Sequence, residues 1–147
     1  MELTKLQTVL EETFAANFVA YYRLHQFHVN VKGREFYQLH KLFKHQYSTL
    51  QDHIDDLAEK LRTVGGHMPM CLNYVTATSP IADFPISGDA ETLVQEALAT
   101  VLTLIDQYHE LHRAAEEVDY TDISNMADEN IGELAKMKWQ LEATLDM

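Results

Sequence analysis

"FYQLHKLFKHQYSTLQDHIDDLAEKLRTVGG", Phe36 to Gly66, carries the cleanest period in the chain: Phe36, Leu39, Phe43, Tyr47, Leu50, Ile54, Leu57, Leu61 and Val64 recur every three or four residues. At about 100° per residue these steps place the apolar side chains on one face of an α-helix of roughly eight turns. The pattern stops at Gly65-Gly66, where glycine takes the left-handed cap conformation without steric cost.

Outward from this helix, the same arithmetic predicts three more. Upstream, Leu6, Leu10, Phe14, Asn17, Tyr21, Leu24 and His28 form a stripe that ends near Gly33. Downstream, residues 67–88 hold all three prolines, Pro69, Pro80 and Pro85, and no sustained period, so they read as a long connection with one short helical segment around Cys71 to Thr78. A third long helix follows Asp89 through Val94, Ala97, Val101, Leu104, Tyr108, Leu111 and Ala115. A fourth starts near Asp122 with Met126, Leu134, Met137, Leu141 and Leu145 inward. The expected fold is all-α: one four-helix bundle domain over residues 1–147, with short links after the first and third helices and a long crossover between the second and third.

Composition narrows the function. With 46% hydrophobic and 23% charged residues the chain matches ordinary globular proteins. Its single cysteine, Cys71, excludes an internal disulfide; no secretory leader pattern or long apolar run is visible, so a cytoplasmic location away from membranes is expected. The net charge of −12 argues against a polyanion and toward cations.

Cation ligands are present in a particular arrangement. Asp55 and Glu59 stand four residues apart, so both carboxylates leave the second helix on one side, either as a solvated face or as a chelating pair. They point roughly 125 to 165° away from the apolar stripe, outside the bundle's own core. No Glu-x-x-His occurs, so a di-iron site buried inside one bundle is not expected. His28 and His40 flank the turn at Gly33, but His40 precedes Asp55 by 15 residues, a rise of roughly 22 Å on a continuous helix, whereas ligand bonds are about 2 Å long. If two copies pack their second helices antiparallel about a twofold axis, imidazoles of one face carboxylates of the other, giving two equivalent sites per dimer. A mixed imidazole and carboxylate set suits Fe(II) or Zn(II).

"HQFHVNVKGREFYQLHKLF" and "HIDDLAEKLRTVGGHMP" together resemble the signature of the mini-ferritins, the DNA-binding proteins from starved cells (Dps). In that family a His-x-Asn-Val-x-Gly turn is followed by Phe-x-x-Leu-His, then by Asp-x-x-Ala-Glu-Arg/Lys and Gly-Gly. The resemblance returns at "KMKWQLEATL" with Trp139 and so spans nearly the whole chain. It implies a ferritin-like fold and a dodecameric homo-oligomer built from twofold dimers. It also implies a ferroxidase that oxidises Fe(II) to Fe(III), preferentially with hydrogen peroxide rather than oxygen, and stores the ferric mineral, limiting oxidative stress. His28, with Asp55 and Glu59 of a second chain, would hold the tighter iron, and His40 would help bind a second.

Two positions depart from that pattern. Lys44 stands where the family commonly carries an acid, one turn after His40, and Val29 replaces the usual tryptophan after His28. A protonated ammonium cannot ligate a cation, so slower oxidation and at least one metal per site are expected. The alternative is a Dps-like structural shell with weak ferroxidase activity and a single Zn(II) or Fe(II) at each interface. Direct DNA binding is not expected, because Lys5 is the only basic residue among the first 22.

The remaining candidates read less sharply. His25 is either a partner of His28 or a plain buried histidine; His45 and His53 are expected at the surface or an interface. Asp106, His109 and His112 are spaced to hold an adventitious metal or to form a solvated face. Asp119, Asp122, Asp128 and Glu129 complement a helix dipole, and by resemblance line a threefold cation pore, where Asn125 replaces a usual acid. Met68, Met70 and Cys71 read as core filler.

Overall fold

The computed structural model describes residues 2–146, which form five helices: α1 (Glu2–Asn30), α2 (Phe36–Thr63), the short α3 (Leu72–Thr78), α4 (Ala90–Glu117) and α5 (Thr121–Leu145). The two hairpins α1–α2 and α4–α5 pack together mainly through α1 against α4. The long connection carries α3 across α1. The fold is therefore the all-α four-helix bundle expected, with its short helix in the crossover.

Local chemistry sets the helix ends. Gly33 has φ +109° in the turn between α1 and α2, and Phe36 N–H donates to its carbonyl. At the end of α2, Gly66 N–H reaches the Leu61 carbonyl at 2.8 Å and Gly65, at φ +84°, donates to Arg62, the paired bonds of a Schellman cap. Asp89 caps α4 by accepting from Thr92 N–H at 2.9 Å.

Asp119 differs from its sequence reading. It holds φ +61° and closes α4, with Tyr120 N–H on the Ala115 carbonyl and Asp119 N–H on Glu116. It thus takes the left-handed position that glycine normally fills, and its role is to turn the chain between α4 and α5. Left-handed geometry costs an L-residue roughly 1–2 kcal/mol, partly relieved for Asp. Asp119→Gly is expected to raise stability by about 0.5–1 kcal/mol, read as a higher urea midpoint with an unchanged slope.

The core is built on Phe14, Phe27, Phe43, Tyr108 and the leucines of all four long helices. One buried polar chain crosses it. Tyr108 Oη donates to Asn17 Oδ1 at 3.0 Å, Asn17 Nδ2 donates to the Leu50 carbonyl at 2.9 Å, and Gln107 donates to Thr13 at 3.0 Å. These bonds tie α1 to α2 and α4 with little tolerance for axial slip. Burial pushes the Tyr108 phenol far above its ordinary pKa.

Candidate metal centre

His28 lies in the last turn of α1, where carbonyls have no intrahelical donor. His40 lies in the second turn of α2, just across the Gly33 turn. The two side chains lock one another: His28 Nδ1 donates to the His40 carbonyl at 2.6 Å, and His40 Nδ1 donates to the His28 carbonyl at 2.7 Å. Their rings stack with centroids 3.9 Å apart. Because a carbonyl only accepts, each Nδ1 must carry the proton, which leaves the Nε2 lone pair of a neutral ring available to a metal. This is the arrangement by which an outer hydrogen bond fixes a ligating imidazole's tautomer and angle. Phe36 covers one face of His40, with centroids 4.9 Å apart.

The carboxylates form the second half. Asp55, Asp56 and Glu59 each present an oxygen such that all three lie within 4.8 Å of one another, on the exposed side of α2. Asp56 is an addition to the pair read from sequence; its spacing of three from Glu59 was the available signal. It is the only such cluster among the described residues. His40 and Asp55 share the uninterrupted helix α2, so the helical rise keeps the imidazole and carboxylate groups roughly 22 Å apart within a chain. The structure thus brings His28 to His40 and Asp55 to Glu59, but does not bring the pairs together.

Around the histidines stands an aromatic group that sequence reading did not single out. Tyr47 is buried on the inward stripe of α2; it stacks on His25 at 4.2 Å with an interplanar angle of 3°, and its ring lies 5.3 Å from that of His28. Tyr21 Oη and His25 Nδ1 are 3.0 Å apart. His25 is therefore a half-buried member of a ring cluster, and its ring centroid lies 6.0 Å from that of His28. Lys44 is exposed and makes no ion pair among the described residues; Val29, beside His28, is exposed too.

Several side chains fall elsewhere than expected. His53 is not a surface residue: it is 3% exposed, faces inward beside Leu50 and Leu57, and its Nε2 lies 3.3 Å from Glu133 Oε2 on α5. Positions 50, 53 and 57 share one helix face, the step missed in sequence. Burial pushes the His53 imidazole below its ordinary pKa, against the pull of Glu133. Met68, Met70 and Cys71 are exposed rather than core filler, Met70 at 86%, because α3 turns only Val75 fully inward. His112 spends both ring nitrogens on carboxylates, 2.9 Å to Asp128 and 3.4 Å to Glu116. His45, His109 and Asp106 are exposed. Lys60 holds Asp122 at 2.8 Å and keeps its carboxyl below the usual range. Of the four acids near the start of α5, Glu129 alone has neither a cationic or imidazole partner nor a special turn role among the described residues.

A four-helix bundle with this long crossover has the connectivity of the ferritin-like class, and a ferritin-like domain model matches residues 7–147. The DNA protection during starvation proteins of Brevibacillus brevis and Helicobacter pylori are each 30% identical to the chain; the first alignment covers 98% of this chain and 97% of the relative, the second 93% and 96%. The solved Dps structure from Bacillus brevis superposes with a TM-score of 0.93 at 28% identity, over 98% of this chain and 97% of that one. The Vibrio cholerae Dps structure, described as belonging to a broad superfamily of ferritin-like diiron-carboxylate proteins, gives 0.92 at 27% identity, over 98% and 91%. The chain belongs to the Dps, or mini-ferritin, family of ferritin-like proteins.

Proposed function

We propose that this protein oxidises Fe(II) and stores the ferric product. Its reaction site is completed between two chains, with His28 and His40 from one and Asp55 and Glu59 from the other. The observation that carries this reading is the division of the ligands: two tautomer-locked imidazoles and three clustered carboxylates lie on one continuous helix system, each a partial coordination shell, and neither can reach the other. An isologous dimer with antiparallel α2 helices closes two such shells at once. Asp56 is close enough to the pair to contribute charge or a hydrogen bond to a bound aqua ligand.

In this reading His28 and the partner's carboxylates bind Fe(II), and His40 helps hold a second ion or its water. Zn(II) competes for the same ligands. Twelve chains form the shell that contains the mineral, and hydrogen peroxide is the preferred oxidant. The relatives' names speak of DNA protection; here that protection is chemical, through removal of Fe(II) and peroxide, since a chain with net charge −12 repels phosphates.

The test is anaerobic loading of the purified protein with Fe(II), followed by peroxide or oxygen in separate stopped-flow runs. Peroxide is expected to oxidise the bound iron much faster than oxygen, with about two Fe(II) consumed per peroxide. Equal rates, or an assembly mass of a lone chain, would overturn the proposal.

The free ammonium of Lys44 supports a second reading, in which the same interface carries a single metal, Zn(II) or Fe(II), and oxidation is weak. Metal content per chain after saturation separates the two.

A further inference from the structure

We propose that His112 and Glu116, near the end of α4, bind a divalent transition-metal ion at a site separate from the candidate centre, with Asp128 of α5 holding the imidazole in position. This goes beyond the function proposed above and does not depend on it. The site lies on α4 and α5, whereas His28, His40, Asp55 and Glu59 lie on α1 and α2.

The left-handed turn at Asp119 folds α5 back along α4, so the end of one helix lies beside the start of the other. His112 and Glu116 are four residues apart on α4 and share a face. Ser124 and Asp128 are four apart on α5 and meet them there. His112 Nδ1 lies 2.9 Å from Asp128 Oδ1 and 3.4 Å from the Ser124 carbonyl oxygen. A carboxylate and a carbonyl both accept, so Nδ1 carries the ring's proton. Nε2 then turns its lone pair toward Glu116 Oε1, 3.4 Å away. With one proton on the ring, two acceptors face each other, and the contact is favourable once a positive charge stands between them.

A second proton or a metal ion would supply that charge, and the separation distinguishes them. A charge-assisted N–H···O bond draws its atoms to about 2.7–2.9 Å, and Glu116, with its side chain 63% exposed, has room to come that close. Two donors on one tetrahedral ion, each about 2.1 Å from it, stand roughly 3.4 Å apart. The gap between Nε2 and Oε1 is therefore that of two ligands. An imidazole whose other nitrogen donates to a carboxylate is also the usual form of a ligating histidine, fixed in tautomer and angle by its outer partner.

The surroundings favour a cation. The C-terminal end of α4 carries the negative pole of the helix, and its last turn has no basic residue. The exposed carboxylate leaves the outer side open to water for the remaining coordination positions. One imidazole and one carboxylate suit Zn(II) or Fe(II) better than Mg(II) or Ca(II). Other histidines outside the candidate centre lack this arrangement among the described residues: His53 faces Glu133 with its Nδ1 buried and unpartnered, and His45, His67 and His109 are exposed without an ion pair.

The experiment titrates the metal-stripped, assembled protein with Zn(II) by calorimetry and measures Zn(II)-soaked crystals at the zinc edge. The wild type is expected to show anomalous density between His112 Nε2 and Glu116 Oε1 and to bind one more Zn(II) per chain than Glu116→Gln or His112→Ala. Glu116→Gln changes an exposed side chain of nearly the same shape, so loss of the ion there reads the ligand rather than the fold. Asp128→Asn keeps both ligands and should weaken this site about 10–100-fold without changing the number of ions. Absence of zinc density at His112 in the wild type overturns the inference, as does equal Zn(II) stoichiometry in the wild type, Glu116→Gln and His112→Ala. Equal affinity in Asp128→Asn overturns the positioning role of Asp128. Peroxide-driven Fe(II) oxidation reads the candidate centre and does not enter this test, so either reading can fail without the other.

Discussion

Two inactive variants, assembled together, are expected to regain iron oxidation. Replacing His28 and His40 by alanine removes both imidazoles from one end of the α1–α2 hairpin, and replacing Asp55 and Glu59 by alanine removes the carboxylates from the middle of α2. Either homo-oligomer should lose the peroxide-driven reaction by roughly 100-fold or more, since loss of even an outer partner of a metal ligand costs 10–100-fold. In a mixed dimer the two sites differ. One lacks every ligand and the other has its full set, because each twofold site takes imidazoles from one chain and carboxylates from its neighbour. Random co-assembly at equal expression should therefore leave about a quarter of all sites complete. The readout is the fast phase of Fe(II) oxidation per assembled chain. No recovery in assemblies shown by mass to contain both chains would mean that the imidazoles and carboxylates do not serve the same site.

Lys44→Asp is expected to raise the Fe(II) bound at each site and to speed the peroxide reaction. Lys44 follows His40 by one helical turn and is exposed, without an ion pair among the described residues. A unit positive charge about 6 Å from a divalent ion repels it by several kcal/mol at an effective dielectric of ~20, and carboxylate substitution turns that repulsion into attraction and adds an oxygen ligand. Lys44→Gln separates the two effects, as it removes charge without adding a strong ligand. Anaerobic calorimetry of Fe(II) binding gives the count. If Lys44→Asp binds no more iron than the wild type, the lysine does not govern the second position.

The long elements were legible because each obeys a simple period. The α2 stripe from Phe36 to Val64 predicts a helix that the structure places at Phe36–Thr63, and the Gly65-Gly66 stop is a Schellman cap with its two carbonyl bonds. Asp89 was legible as the start of α4 because a short acid at an N-cap has a specific hydrogen-bonding task. Even the short α3 was visible as an interruption in the proline-rich crossover. Outward placement of Asp55 and Glu59 followed from angle alone, and both carboxylates are exposed as that arithmetic requires.

Properties that depend on which atoms meet were not legible. His53 is expected from the sequence at the surface or an interface, while its position between Leu50 and Leu57 puts it inside against Glu133. Asp119 was read as one acid among several, and only the backbone shows it in the left-handed turn that ends α4. The pairing of Asp122 with Lys60 and of Asp128 with His112 joins residues 62 and 16 positions apart, respectively, through helix packing rather than local spacing.

By itself, the sequence determined the four long helices, the stop of α2 at Gly65-Gly66 and the impossibility of joining His28 and His40 to Asp55 and Glu59 in one chain, because helix period and rise are properties of the backbone that every sequence inherits. Tertiary structure alone decided that His28 and His40 lock each other's tautomers through reciprocal carbonyl bonds, that Asp56 joins the carboxylates, and that Tyr21 and Tyr47 crowd around His25. Those relations depend on ångström-scale distances across the Gly33 turn and between packed helices, and such distances arise only when side chains from separate segments settle into one another's surfaces.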